Sequence, residues 1–139
     1  MNYRRFGDKI IIRIDKGEEV LEQLREIALK ENISLAHISA LGATDSFTVG
    51  VFDVNKKQFY SNDFCGDYEI VSLTGTITVM DGKPYIHIHM SAGDNKGLVY
   101  GGHLSRAVIS ATCEMVITVM DGYVGRKYNE DAGINIFDF

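Results

Sequence analysis

The sequence contains no tryptophan, one proline and two cysteines among its 139 residues. Cys65 and Cys113 are far apart in the chain and form no C-x-x-C motif. The earliest apolar run, Ile10-Ile11-Ile12, is too short for the core of a secretory signal. We therefore expect a cytoplasmic protein with two reduced thiols, one disulfide being the alternative.

Long apolar segments and an excess of basic residues are also missing. No stretch approaches the roughly 20 apolar residues that cross a bilayer as a helix. The chain carries 14 basic and 19 acidic residues, for a formal net charge of −5, and the basic residues form no stripe. Proteins that bind nucleic acids on their own neutralise phosphates with clustered Lys and Arg. The sequence therefore argues against both a membrane protein and an autonomous DNA-binding domain.

What the sequence does contain is typical of one globular domain. Hydrophobic residues make up 45% of the chain and charged residues 24%, which excludes intrinsic disorder and collagen-like or coiled-coil architectures. The length predicts a single domain over 1–139. A domain of this size buries about two thirds of the surface that its unfolded chain exposes, so it needs neither disulfides nor a structural metal to fold.

One amphipathic helix is predicted near the N-terminus. Apolar residues recur every three or four positions over 17–32, and the positions between them are mostly charged. Asp15 is a candidate N-cap, and Asn32 is a candidate stop signal. The β-branched segment 9–14, which precedes the helix, predicts a short first strand.

β-Strands are predicted for most of the chain after Ser34. Their limits follow from the alternation of apolar and polar residues and from turn residues, with two Asp-Gly hairpin signals at 81–82 and 121–122. The strands are expected at 35–41, 47–54, 58–64, 68–80, 85–91 and 107–120. The tail 135–139 is expected to add an edge strand or to dock on a neighbouring element. The predicted fold class is therefore α+β, a mainly antiparallel, curled sheet with one principal helix.

Two histidines in the segment 85–91 are the first candidates for a functional site. In a strand, alternate side chains lie on one face and are about 6.6 Å apart, so His87 and His89 point the same way. Two neutral imidazoles at this spacing can bind one metal ion from the same side. The alternative is that both lie on an exposed strand face without a function, because the His-x-His pattern is common.

His103 is the candidate for a third ligand. It follows Gly101-Gly102, and glycine allows the backbone to approach a neighbouring strand or a ligand closely. Three histidine ligands with an open coordination position are the arrangement of catalytic zinc, which polarises a carbonyl or activates water. Since neither cysteine is close in sequence, the predicted ion is zinc or another divalent transition metal, with nickel, cobalt or iron as alternatives.

Two glutamates could complete such a site. Glu69 lies on the apolar-facing parity of its predicted strand, and Glu114 lies in the middle of another strand. Either could act as a fourth ligand, as a general base or as a residue that orients a histidine. The alternative for Glu69 is a strand-end position that reaches solvent. His37 is interpreted as a half-buried histidine without a metal, and Arg106 as a partner for an anionic substrate or for a carboxylate.

Several segments together resemble the plants-and-prokaryotes conserved domain, or PPC domain, in its stand-alone prokaryotic form. Their combined order and spacing carry the resemblance, which covers nearly the whole chain. The matching segments are Gly66-x-Tyr68-Glu69-Ile70-Val71-Ser72-Leu73-Thr74-Gly75-Thr76-Ile77, His87-x-His89, Gly97-x-Val99-x-Gly101-Gly102-His103-Leu104 and Cys113-Glu114-Met115-Val116-Ile117. The resemblance implies an α+β domain with an antiparallel sheet, assembled as a homotrimer.

The resemblance also implies two different roles. In plants the domain follows AT-hook segments that enter the minor groove of DNA, and prokaryotic relatives share the description as DNA-binding proteins. This chain has no AT-hook and is acidic, so we expect no tight DNA binding by the chain alone. The histidine pattern is instead similar to that of acetolactate decarboxylase, where three histidines hold zinc, and this similarity implies His87, His89 and His103 as metal ligands.

Two main functions remain open at this point. The first is a trimeric domain that binds a zinc-like metal through three histidines, with a lyase or hydrolase activity on a small molecule in which Glu114 or Glu69 moves protons. The second is a DNA-associated regulatory or scaffold protein that acts through trimerisation and the binding of partners. A trimer that binds a small molecule without chemistry is a third, simpler alternative.

Overall fold

The computed structural model describes residues 1–139 and contains one helix and eight strands. The strands are β1 Asn2–Phe6, β2 Lys9–Asp15, β3 Ala36–Asp53, β4 Gln58–Met80, β5 Lys83–Gly93, β6 Val99–Val119, β7 Gly125–Asn129 and β8 Ile134–Asp138. The helix α1, Val20–Lys30, lies between β2 and β3 in the chain. With 11 residues, α1 is too short to cross a membrane.

Six strands form one antiparallel sheet that curls back on itself. Their order is β1-β2-β6-β3-β4-β5, and β5 also pairs with the first part of β6. The strands β6, β3, β4 and β5 therefore close into a small barrel, while β1 and β2 extend the sheet beyond it. This arrangement confirms the predicted α+β class with a curled, mainly antiparallel sheet and one helix.

The hydrophobic core lies between α1 and the inner face of the sheet. The residues that α1 buries are Val20, Leu21, Leu24, Ile27 and Ala28. They are the apolar stripe that the three- and four-residue spacing predicts. The strands contribute mainly Ile, Val and Leu from alternate positions. On β5 the core takes Ile88 and Met90, which leaves the other face of this strand free for a site.

β1 is a strand that the sequence pattern did not predict. It forms a hairpin with β2, in which Tyr3 pairs with Ile12. Its residues are mostly exposed and several are charged, so no alternation of apolar and polar residues marks it. The reason is its place at the edge of the sheet, where only one side of the strand is paired and little side-chain surface is buried.

α1 begins later than the sequence predicts, and its N-cap is a different residue. The Glu19 carboxylate accepts a hydrogen bond of 2.8 Å from the backbone N–H of Glu22. Asp15 is not the cap, because it ends β2 and forms an ion pair with Arg13 there. Asn32 follows the end of the helix with a φ of 51°, which confirms the predicted stop.

Four of the predicted strands merge into two long ones. The merged segments are 35–41 with 47–54, which form β3, and 58–64 with 68–80, which form β4. Gly42 does not end β3, because the strand stays paired with β4 through two register shifts and with β6 through three. Such bulges bend a strand without terminating it. They allow β3 to follow the curvature of the barrel.

A bulge in β4 reverses the predicted orientation of Glu69. The pairing of β4 with β5 shifts between Ile70 and Ser72. Alternation counted back from the buried Leu73 would point Glu69 into the core, but beyond the shift Ile70 is buried and Glu69 is exposed. One extra residue in a strand exchanges its two faces. The prediction that Glu69 lies on the apolar-facing side is therefore wrong.

The two Asp-Gly sequences, which both predict hairpins, form different structures. Asp81 and Gly82 have φ values of 51° and 72°, as a tight hairpin between β4 and β5 requires, so this prediction is confirmed. Asp121-Gly122 instead leads out of β6, and the chain then forms a separate two-stranded hairpin from β7 and β8. This C-terminal hairpin packs against β4. The tail therefore both forms an additional strand and docks on a neighbouring element.

Candidate metal centre

Three histidines converge on one face of the barrel. His87 and His89 lie on β5, on the face opposite the buried Ile88 and Met90, as the alternation predicts. His103 lies on β6 directly across from His89. The pairing of β5 with β6 thus brings all three imidazoles to one place.

Close approach of the backbones allows β6 to reach this position. A Cβ atom on Gly102 would lie 2.5 Å from the carbonyl oxygen of Gly50 on β3. A Cβ atom on Gly101 would lie 2.8 Å from the carbonyl oxygen of Met90 on β5. Real Cβ atoms do not approach other atoms this closely, so only glycine fits at both positions. The predicted role of Gly101-Gly102 in close backbone approach is confirmed.

The distances between the imidazoles suit a shared metal ion. The ring centroids are 5.1 Å apart for His87 and His103, 5.3 Å for His87 and His89, and 5.5 Å for His89 and His103. One ring nitrogen from each residue lies within 4.8 Å of the other two. Two nitrogens on a tetrahedral zinc are about 3.3 Å apart, so small side-chain rotations close the gap. The donor set therefore fits a three-histidine metal site.

The surroundings favour the neutral imidazoles that metal binding requires. His87 and His103 are half-buried, whereas His89 is exposed. The pKa of His87 is lowered to about 4, first by burial and then by the positive charges of His103, Arg126 and His89. The pKa of His103 is also lowered, by burial and then by His89. Protons therefore compete only weakly for these two nitrogens near neutral pH.

The three histidines line a cavity of about 720 Å³. The end of β3, the turn after it and the start of β4 contribute apolar residues, among them Phe52, Val54 and Phe59. The ring of Phe59 lies edge-on to the His103 ring at 5.8 Å. The C-terminal hairpin contributes Tyr128 and Ile134 from the other side. No Asp, Glu, Lys or Arg side chain lines the cavity. The site is thus mainly apolar, with the imidazoles as its principal polar groups.

The C-terminal hairpin also brings residues that sequence reasoning did not connect with the histidines. Asn135 donates a hydrogen bond of 3.4 Å from Nδ2 to the Tyr85 hydroxyl, and both residues line the cavity. The guanidinium carbon of Arg126 lies 4.5 Å from the centroids of both the Tyr85 and the Phe137 rings. The sequence predicts only that 135–139 adds an edge strand or docks on a neighbouring element, because the surface on which the tail docks is a property of the folded chain.

The two glutamates lie away from the histidines. Glu114 is eleven positions from His103 on the same strand, about 35 Å along it. Glu69 pairs with Gly93, which lies four positions, about 13 Å, beyond His89 on β5. Neither glutamate lines the cavity. The structure therefore does not bring Glu69 or Glu114 together with the predicted metal ligands.

The two weaker candidates also lie outside the histidine group. His37 Nε2 lies 3.3 Å from the hydroxyl oxygen of Thr74, and its side chain is exposed, so the interpretation as a half-buried residue is wrong. Arg106 donates a hydrogen bond of 2.9 Å to the Ser46 hydroxyl and has no carboxylate partner. It does not line the cavity either.

Several solved structures share this fold over nearly the whole chain. A candidate DNA-binding protein from Bacteroides thetaiotaomicron is 30% identical, with a TM-score of 0.96 over 99% of this chain and 96% of its own. A metal-containing protein from Archaeoglobus fulgidus is 31% identical, with a TM-score of 0.88 over 100% of this chain and 99% of its own. A plant- and prokaryote-conserved protein from Pyrococcus horikoshii is 28% identical, with a TM-score of 0.87 over 99% and 94%. The comparison with curated proteins finds no match.

The family follows from the sequence as well as from the fold. Residues 1–121 match the Plants and Prokaryotes Conserved (PCC) domain, for which the abbreviation PPC is also used. The match spans β1 to β6 and includes all three histidines, whereas β7 and β8 lie beyond it. The resemblance found in the sequence is confirmed, while the similarity to acetolactate decarboxylase stays a prediction. On both grounds, the chain belongs to the Plants and Prokaryotes Conserved domain family.

Proposed function

We propose that this protein binds one zinc-like divalent metal ion through His87, His89 and His103 and uses the ion to bind a small molecule in the adjoining cavity. The observation that carries the proposal is the mutual distance of at most 4.8 Å between one nitrogen of each imidazole. Neutral nitrogen donors without a thiolate suit zinc or another borderline transition metal. The metal-containing relative from Archaeoglobus fulgidus supports the same assignment.

The proposal extends to lyase or hydrolase chemistry. A metal with three histidine ligands and one open position supplies a Lewis acid that polarises a carbonyl or lowers the pKa of a water molecule. In this chain the apolar lining, with Phe52 and Phe59, would exclude bulk water. The Tyr85 hydroxyl, held by Asn135, would donate a hydrogen bond to the ligand. The proposed site gives no role to Glu69 or Glu114, since neither lines the cavity.

Metal content of the untagged protein tests the metal site. After incubation with zinc and removal of the excess, we expect one zinc per chain. His87→Ala, His89→Ala and His103→Ala are each expected to lose stoichiometric zinc and to keep the fold, because these side chains lie outside the buried core. His37→Ala is the matched control, since His37 is exposed and lies outside the histidine group. Wild type that stays free of zinc, or His103→Ala that binds as well as wild type, would refute the site.

We also propose a homotrimer. Large apolar side chains are exposed on the single chain, including Val71 at 60% and Leu98 and Val99 at 55% each. Val71 and Val99 flank Gly93, where a Cβ atom would lie within 3.6 Å of both. Contiguous apolar surface of this kind is typical of subunit interfaces. Light scattering is expected to give three times the mass of one chain, and a monomer at micromolar concentration would refute the trimer.

A DNA-associated regulatory or scaffold role is the second candidate function. The observation that favours it is the relative from Bacteroides thetaiotaomicron, which is described as a candidate DNA-binding protein. Because this chain carries a net charge of −5 and no basic stripe, such a role would act through assembly and a DNA-binding partner. Retention of the purified protein on DNA, lost steeply as salt rises, would instead indicate direct binding.

A further inference from the structure

The charge of the cavity is the first observation that bears on its ligand. The lining contains no carboxylate, and the three proposed metal ligands are neutral imidazoles. A divalent ion at this position would keep both of its positive charges, because nothing in the cavity lining neutralises them. In a mainly apolar, partly closed site such a charge is screened far less than in water, so an anionic ligand is favoured.

Arg126 adds a second positive charge to the same region. Its guanidinium lies between the rings of Tyr85 and Phe137, 4.5 Å from each centroid. Its Nε donates to the Thr78 hydroxyl at 3.0 Å and its Nη2 to the Thr76 hydroxyl at 3.4 Å. Thr76 is the residue that pairs with His87 across β4 and β5, so Arg126 lies directly behind the metal site.

No acidic residue neutralises Arg126. Its third hydrogen bond, of 3.4 Å from Nη1, goes to the Asn135 backbone carbonyl. No Asp or Glu lies within ion-pair distance of it, whereas its neighbour Lys127 pairs with Asp138 at 2.7 Å. Two of the five N–H groups of the guanidinium therefore have no protein acceptor. Arg126 is only partly exposed, and this burial lowers the pKa of its guanidinium.

The rest of the cavity defines the body of the ligand. Phe52, Val54 and Phe59 line one side and Ile134 lines the other, and the volume of about 720 Å³ exceeds what a small inorganic ion requires. Sites of this size and lining bury organic molecules whose apolar parts contact aromatic and aliphatic side chains. An inorganic anion alone would leave these walls uncovered.

We propose that the cavity takes an organic anion, a carboxylate with an apolar body, and that Arg126 is a positioning residue that selects for the negative charge. The charged end would occupy the open position of the metal, and the apolar body would lie between Phe59 and Ile134. This inference rests on the proposed metal site. It assigns the C-terminal hairpin, which lies beyond the family match, a role in ligand selection.

Calorimetry with two probes of equal shape tests the preference for charge. Zinc-loaded, full-length protein is titrated with benzoate and, separately, with benzamide in the same buffer at neutral pH. We expect benzoate to bind at least about ten-fold more tightly, because only the anion gains the attraction of the metal and of Arg126. Cobalt-loaded protein should show a change in its visible absorption with benzoate and none with benzamide. Equal affinities, tighter binding of benzamide or no binding of either at millimolar concentration would overturn the proposal.

Variants of the neighbouring residues Arg126 and Lys127 distinguish selection of the anion by Arg126 from a general effect of the protein's net charge. Arg126→Gln is expected to weaken benzoate binding about five-fold and to leave benzamide binding and zinc stoichiometry unchanged. Lys127→Gln removes the same charge from the opposite face of β7 and is expected to bind benzoate like wild type. Arg126→Lys, which keeps the charge, should retain most of the preference. Equal losses in Arg126→Gln and Lys127→Gln, or a parallel loss of benzamide binding, would show that Arg126 does not select for charge.

Zinc binding and the preference for benzoate are measured separately, so the two proposals can fail independently. Failure of wild type to bind zinc would refute the proposed metal site itself. Normal zinc binding without a preference for benzoate would refute only the organic-anion inference and leave the metal site standing.

Discussion

At the scale of single residues, the environment of His87 makes folding sensitive to pH. Its pKa in the folded protein is about 4, lowered mainly by burial, against about 6.5 for an unperturbed histidine. Between these values the unfolded chain binds a proton that the folded chain does not bind. The metal-free protein therefore loses stability as the pH falls through this window. Well above pH 6.5 or so, His87 is neutral in both states and no longer makes the stability depend on pH.

We predict that His87→Gln makes the stability of the metal-free protein less dependent on pH. The measurement is the urea midpoint of wild type and variant at several pH values between about 7.5 and 4.5. Carboxylates with lowered pKa values, such as Glu31, also destabilise the protein in acid, but they act equally in both chains. His37→Gln, which changes an exposed histidine outside the group, should keep the slope of wild type. Identical slopes for wild type and His87→Gln would contradict the prediction.

The close approach of the Gly102 backbone to Gly50 positions the neighbouring His103. We predict that Gly102→Ala destabilises the protein by about 1–3 kcal/mol, since the added methyl group would meet the Gly50 backbone. It should also weaken zinc binding, because β6 must shift and His103 moves with it. Chemical denaturation and zinc titration measure the two effects.

Gly122→Ala is the matched control for this change, because Gly122 is not part of the proposed trimer surface around Gly93. A Cβ atom on Gly122 would lie 3.5 Å from a side-chain atom of Leu35, an ordinary contact distance. Its stability and zinc affinity should stay close to those of wild type. If both glycine variants behave alike, the close approach of β6 to β3 is not what positions His103.

At the scale of elements, Glu19 connects α1 to the sheet. Its carboxylate accepts hydrogen bonds from the Glu22 N–H at 2.8 Å and from the Ala107 N–H on β6 at 2.9 Å. We predict that Glu19→Ala lowers the free energy of unfolding by about 1 kcal/mol or more, since it removes the N-cap of the helix. Urea denaturation measures the change.

Glu26→Ala serves as the control for Glu19→Ala. Glu26 lies on the exposed side of the same helix and has no ion-pair partner. Its removal should change the stability by less than about 0.5 kcal/mol. Because Ala has a higher helix propensity than Glu, a loss in Glu26→Ala as large as in Glu19→Ala would mean that removing any carboxylate from this segment, and not removing the cap, explains the effect.

The C-terminal hairpin is the element that the sequence describes least. Its strands are short, and its contact with β4 depends on Arg126 and the buried Thr78. Thr76 and Thr78 occupy alternate positions on β4, and both accept hydrogen bonds from Arg126. The docked hairpin therefore covers part of a polar strand face, and it also lines the cavity with Tyr128 and Ile134.

At the scale of the whole molecule, the distribution of charge decides which partners can bind directly. We predict no tight, sequence-specific DNA binding by the purified protein, because its net charge is −5 and it has no basic stripe. A mobility-shift assay at physiological salt, with unlabelled competitor DNA, is the measurement. Binding at nanomolar concentration that resists the competitor would contradict the prediction.

Much of the molecule follows from the sequence alone. The spacing of apolar residues determines the face of α1, and the two-residue period of β5 places His87 and His89 together, since both are local geometric properties of the backbone. Composition and charge determine the class of protein for the same reason, because they require no knowledge of long-range contacts.

The tertiary structure alone decided the rest. Which strands pair, where a bulge reverses the faces of β4 and where the tail docks depend on contacts between residues far apart in the chain. These contacts expose Glu69, separate Glu114 from the histidines and bring Arg126 behind His87. The sequence alone indicated the three histidines of the proposed metal site. Long-range strand pairing determined the charge and the walls of the cavity around them, because only the closed barrel brings β3, β5, β6 and the hairpin together.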